Sequence, residues 1–139
     1  MKTPEQIGAE VKKLFSGEPG EFRPCAYFDD RLDCIRVIVR DCSVLETRVH
    51  ERLTVLEDMY YPAGRKQYVG FTVKGARHFC RENGISLAAP IAVGKLLDAI
   101  LAAFPEPAVQ IFVNGVAREL VKEEKIEVVD VSGALPQSA

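Results

Sequence analysis

"CIRVIVRDCSVLETRVHERLTVLED", residues 34 to 58, is the stretch whose period decides the fold. Side chains along a strand alternate between two faces, and a period of two runs through this segment. Asp33, Ile35, Val37 and Val39 point one way, and Cys34, Arg36, Ile38 and Arg40 the other. Leu45, Thr47 and Val49 then oppose Val44, Glu46, Arg48 and His50. With "CAYF" ahead of it, the pattern predicts strands over 25–28, 33–40, 43–50 and 52–58. Connections this short join antiparallel neighbours, so the region is expected to form a meander with one face on the core and one largely polar.

Outward from this block, the chain turns helical. In "TPEQIGAEVKKLF", Thr3 caps, Pro4 suits the first helical position and Gln6 completes a capping-box spacing, which predicts a helix over about 4–15. Its Ile7, Val11, Leu14 and Phe15 form one apolar stripe, while its polar face mixes both charges, as on a helix docked on a core. "SGEPGEFRP" is a loop. On the other side, "MYYPAGRKQ" is a loop around Pro62 and Gly64, and "YVGFTV" fits a strand by alternation or a helix through Val69, Val73, Ala76 and Cys80. A helix over about 75–83 follows, ended by Gly84. Pro90 opens a second helix whose stripe is Val93, Leu97, Ile100 and Phe104, closed by Pro105 and Pro107. Residues 107–121 fit a helix stripe through Val109, Phe112, Val113, Val116, Leu120 and Val121, against a hairpin signal at Asn114-Gly115. The unbroken stripe favours the helix. "KIEVVDV" is a last strand, and "SGALPQSA", residues 132–139, has too little apolar material to order itself.

The bulk numbers bound the function. A chain of 139 residues, 47% hydrophobic, suits one domain, taken as 1–131, and can bury a core without metal or disulfides. Its 18 basic and 20 acidic residues leave a net charge of −2, which argues against nucleic acid and anionic membranes as partners except through a local patch. Cys25, Cys34, Cys42 and Cys80 show no C-x-x-C spacing, and only two histidines accompany them, so reduced, buried thiols are expected rather than zinc or disulfides. No basic head precedes an apolar run at the N-terminus, and the longest apolar segment carries Lys95 and Asp98. A cytoplasmic protein is the expectation.

The segments "FDDRLD", "ETRV", "LTVLED" and "YVGFTV" follow one another in an order that resembles a small bacterial family, domain of unknown function 2283, over residues 28–73. That family shows an aromatic residue and an acid-rich turn ended by an aspartate that opens a strand, a Glu-Thr-Arg-like strand, an apolar strand ending in acid, and a Val-Gly-Ile-like strand. The resemblance implies a strand at Tyr68 to Val73. It implies no activity, and it leaves residues 84–139 unaccounted for.

The obvious catalytic readings fail on chemistry. Asp29, Asp30 and Asp33 lack the glycine and distal glutamate of a calcium loop, and acids on one tight turn cannot flank a glycosidic bond. They read as turn formers. His78 and Cys80 project about 200° apart on a helix, which is no dyad. "GFTVKGARHF" has no phosphate-cradling glycine motif; Gly70 is expected to relieve crowding and Gly75 to mark a corner. No catalytic residue, metal site or cofactor is assigned.

What survives is a surface. By alternation, Arg36, Arg40, Glu46, Arg48, His50, Arg52 and Thr54 share the sheet face away from the helices, with Ile38, Val44 and Leu56 among them. Arginines set among apolar groups can hold carboxylates or phosphates in a bidentate way, and interfaces favour them. Paired across strands with Glu46, Glu51 or Glu57, the same arginines would make an ordinary solvated face. The expectation is therefore an α+β fold, an antiparallel meander of four to five strands covered on one face by three to four helices. Its function is expected to be binding or regulation through a protein partner or a homodimer. The alternatives are a small enzyme with His50 or His78 in a pocket between sheet and helices, and a nucleic-acid binder using a local arginine patch.

Overall fold

A computed structural model describes residues 22–60, 67–122 and 125–131. The helix read over 4–15, the loop at Pro62 and Gly64, and the tail 132–139 lie outside the described residues.

The described residues form a seven-stranded sheet with helices on one face. Its strands are β1 (Cys25–Asp29), β2 (Cys34–Ile38), β3 (Val44–His50), β4 (Leu53–Asp58), β5 (Tyr68–Lys74), β6 (Ile91–Ala92) and β7 (Glu127–Asp130). The helices are α1 (Ala76–Glu82), α2 (Val93–Ala103) and α3 (Pro107–Phe112), which continues through a π-helical turn (Val113–Ala117) into α4 (Arg118–Val121). The α+β class is as read from sequence, but the strand count rises from the expected four or five to seven. β7 falls on the strand read in "KIEVVDV" and pairs with β1, whereas β6, a two-residue strand that pairs with β7, was not read from sequence.

The spatial order is β3-β4-β5-β2-β1-β7-β6, antiparallel throughout except for the parallel pair β1 and β7. This corrects the simple meander: β5 inserts between β4 and β2, so β2 and β3 are not neighbours. The link 39–43 instead crosses the ends of β5 and β4. Val39 N donates to Val69 O at 2.9 Å, and Met59 N donates to Ser43 O at 2.9 Å. With strands on both sides, β2 has no open edge. The close approach of β5 to β2 needs Gly70, because a Cβ there would lie 2.0 Å from the Val37 carbonyl oxygen. The glycine read as relieving crowding does so against backbone.

Alternation then builds the core. Phe28, Ile35, Val37, Leu53, Phe71 and Val73 point to the helices and are buried against Phe79, Leu97, Ile100 and Phe112. Phe71 meets Phe112 edge to face at 5.8 Å and 79°. Each large side chain so buried contributes about 1.5 to 3 kcal/mol.

Two boundaries differ from the pattern. Pro90 does not open a helix. Ile91 and Ala92 stay extended to pair with β7, Val93 N donates to Ile126 O at 3.0 Å, and α2 starts only there. Residues 107–121 are helical rather than a hairpin, but Asn114-Gly115 falls within the π turn. The wider turn rotates the stripe, so Ala117 is fully buried and Val116 only half-buried.

The acidic stretch is a turn, as read, with one further task. Asp29 Oδ1 accepts from Arg31 N at 2.9 Å. Asp33 adopts φ 49°, its Oδ1 accepts from Arg77 N at 2.9 Å, and its carbonyl accepts from Ala76 N at 3.1 Å. The start of α1, after Gly75 at φ 65°, is therefore tied to the β1–β2 turn.

Candidate functional site

Cross-strand pairing places Arg48 on β3, Thr54 on β4, Thr72 on β5, Arg36 on β2 and Tyr27 on β1 in one row. The row runs over the face turned away from the helices, here the far face. A second row holds Glu46, Leu56, Gly70, Ile38 and Cys25. Of the residues expected on this surface, Arg36, Glu46, Arg48 and Thr54 are there, with Ile38, Val44 and Leu56.

Three are not. A register shift between Arg48 and His50 turns the histidine to the helix side, where its ring lies 4.4 Å from that of Phe104 and its Nε2 is 3.4 Å from Glu106 Oε2. A β-bulge of this kind is invisible to strict alternation. Arg52 lies in the turn between β3 and β4. Its carbonyl accepts from Lys74 N at 2.7 Å, and its side chain lies beside Gly75. Arg40 belongs to the link 39–43, because β2 stops at Ile38, and its Nη1 donates to Gln67 Oε1.

Sequence reasoning missed Thr72 and Lys74, and set Cys34 on the face of Arg36 without counting it in the site. With Leu32, Arg36, Val44 and Glu46 they line a far-face depression of about 430 Å³. Alternation in "YVGFTVK" does set Thr72 and Lys74 opposite Phe71 and Val73, but it cannot say that β5 lies beside Arg36. The centre of this face is buried: Leu56 is 0% and Thr72 2% exposed, and Leu56 stands apart from the main core. Among the described residues, three buried donors have no hydrogen-bond partner, namely Arg36 Nε, Thr54 Oγ1 and Thr72 Oγ1. All three lie in the first row. Lys74 Nζ donates to Glu46 Oε2 at 3.4 Å at the margin. The guanidinium of Arg48 makes no hydrogen bond or ion pair among the described residues.

Local electrostatics disfavour a thiolate on this face. Burial raises the Cys34 thiol above its ordinary pKa and Asp29 adds to this, while Arg36 opposes both. Burial likewise raises Tyr27, with Arg36 opposing. A nucleophilic cysteine needs its pKa lowered, and burial raises all four thiols. The four cysteines are free; Cys34 and Cys80 are buried, and Cys25 and Cys42 half-buried.

The remaining histidine, His78, is exposed and pairs with Glu82 at 2.9 Å, while Cys80 is buried. A larger depression of about 590 Å³ lies at the start of α2, beside Gly94, Leu97, Val121 and Ile126. Its Arg118 is bound to Asp98 at 2.7 Å and its Lys122 to Glu119 at 2.8 Å. Neither depression is lined by a histidine. Among the described residues, no group of three or more His, Cys, Asp and Glu side chains could hold a metal ion, and no helix is long and apolar enough to cross a membrane.

No family model matches the chain, and no match is found among curated proteins or solved structures.

Proposed function

We propose that this is a cytoplasmic binding protein without chemistry of its own, which uses the far face of the sheet to hold an acidic group of a protein partner. The observation that carries the reading is the row of unpaired, buried donors, Arg36 Nε, Thr72 Oγ1 and Thr54 Oγ1, with Arg36 and Thr72 lining a depression. A buried donor left unmade costs about 1 to 3 kcal/mol, which a carboxylate seated over Arg36 and Thr72 would recover. A polyanion fits less well, because Glu46 and Asp58 share this face and the net charge is −2. The order of "FDDRLD", "ETRV", "LTVLED" and "YVGFTV" supports grouping the chain with the domain of unknown function 2283 family, a grouping that brings no activity with it.

The test is a nuclear magnetic resonance titration with a glutamate-rich peptide at low salt. Shifts at Arg36, Thr54 and Thr72 that vanish in Arg36→Gln support the reading. Absence of shifts on this face, or shifts that survive Arg36→Gln, would overturn it.

A further inference from the structure

Strand β3 ends the sheet, and its outer side has no strand beside it among the described residues. Which backbone groups are left open follows from one hydrogen bond. Ser43 O accepts from Met59 N, so residue 43 faces β4, and in an antiparallel ladder residues 45 and 47 do the same. The N–H and C=O groups of Val44, Glu46 and Arg48 therefore point outward, with no backbone partner among the described residues. Unpaired edges are templates for another strand.

The side chains along this edge read Leu45-Glu46-Thr47-Arg48-Val49, apolar, acidic, Thr, basic, apolar. That order is complementary to itself when reversed. We infer that β3 pairs antiparallel with β3 of a second copy of this chain, about a two-fold axis at Thr47. In this register Glu46 of each copy faces Arg48 of the other, and these are the residues whose backbone groups point outward. Each pair can then exchange both N–H···O bonds and close an ion pair on the far face. On the other face Thr47 meets its own twin, and Leu45, 52% exposed in the single chain, meets Val49.

The charges select this register over its neighbours. An axis at Glu46 sets two carboxylates opposite each other, and one at Arg48 sets two guanidinium groups opposite, both destabilising. An axis at Leu45 leaves Arg48 without a partner. The guanidinium of Arg48, without a partner among the described residues, is what the Thr47 axis engages. The β-bulge between Arg48 and His50 limits the seam at that end. Because the axis stands perpendicular to the sheet, both far faces join into one surface. The inference does not need the acidic-group reading, since Arg36 and Thr72 lie away from the seam.

The test is sedimentation equilibrium over roughly a hundredfold range of concentration, where mass action separates one chain from two. Wild-type protein and Arg36→Gln are expected to dimerise, whereas Glu46→Arg and Arg48→Glu each stay at the mass of one chain. Mixing the two single variants restores the mass of two, and so does the double variant Glu46→Arg/Arg48→Glu. Thr47→Cys, which leaves the charges intact, forms an intermolecular disulfide under mild oxidation that Leu45→Cys does not, since the axis brings position 47 against itself. A wild-type protein that stays monomeric, single variants that still dimerise, a double variant that does not, or equal cross-linking at both cysteines would each overturn the pairing. Loss of peptide binding in Arg36→Gln with dimerisation intact separates the two proposals.

Discussion

Arg36 and Thr72 stand opposite each other on adjacent antiparallel strands, and among the described residues neither the Nε–H of one nor the hydroxyl of the other has a hydrogen-bond partner. Both lie near the middle of a sheet face that carries arginine, lysine and glutamate around a buried centre. A folded protein bears such a cost only where something offsets it.

Thr72→Val removes the unpaired hydroxyl while keeping the branched shape. We expect the protein without ligand to gain about 1 kcal/mol, read from urea unfolding, because no hydrogen bond is lost. The same variant is expected to bind the glutamate-rich peptide more weakly. A loss of stability would mean that the hydroxyl is satisfied in solution.

Two glycines should respond with opposite signs. Gly70→Ala drives a Cβ to 2.0 Å from the Val37 carbonyl oxygen, in backbone that cannot move aside cheaply. Its cost is expected to be about 3 kcal/mol. Gly94, in α2, has nothing within 4 Å of an added Cβ, so Gly94→Ala is expected to stabilise by about 0.5 kcal/mol. Paired thermal or urea unfolding of the two variants reads the difference.

Asp33 ties the turn to α1 through bonds to Arg77 N and Ala76 N. Asp33→Ala loses the side-chain bond and places alanine at φ 49°, so a cost of about 2 kcal/mol is expected. Asp33→Asn keeps an acceptor and tolerates the left-handed backbone, and should cost less than half as much. Equal losses in the two variants would show that the carboxylate charge, rather than the cap, matters.

Burial pushes the Cys25 thiol from 9.0 to about 11. The folded state thus holds its proton more tightly than the unfolded chain does. The resulting stability is full below pH 9.0 and is lost as pH rises towards about 11. The upward shifts of Cys34 and Cys80 act in the same direction. Unfolding midpoints should therefore fall across this window, and fall less steeply in Cys25→Ala. An equal fall in the variant would show that Cys25 does not contribute.

Much of the fold was legible because it is local. The period of two through 34–58 placed Ile35 and Val37 on the core side. The apolar stripe along 107–121 outweighed the Asn114-Gly115 hairpin signal, and the aspartates of "FDDRLD" make the turn that aspartates favour. Alternation also set Arg36, Glu46, Arg48 and Thr54 on one face, since strand geometry leaves no other choice within an uninterrupted run.

What the tertiary structure decided is which strands touch. Backbone hydrogen bonding is the same for every strand, so a period of two cannot tell β3 from β5 as the neighbour of β2. Gly70, by admitting the Val37 carbonyl, is the residue that lets β5 take that place. From that insertion come Thr72 beside Arg36, the depression they line, and β3 left at the edge. The bulge after Arg48 moved His50 to the helix side for the same kind of reason, packing against Phe104, which lies far along the chain. The sequence by itself determined the faces of the strands; the arginine's neighbours and the open edge were settled by contacts between segments that no local period encodes.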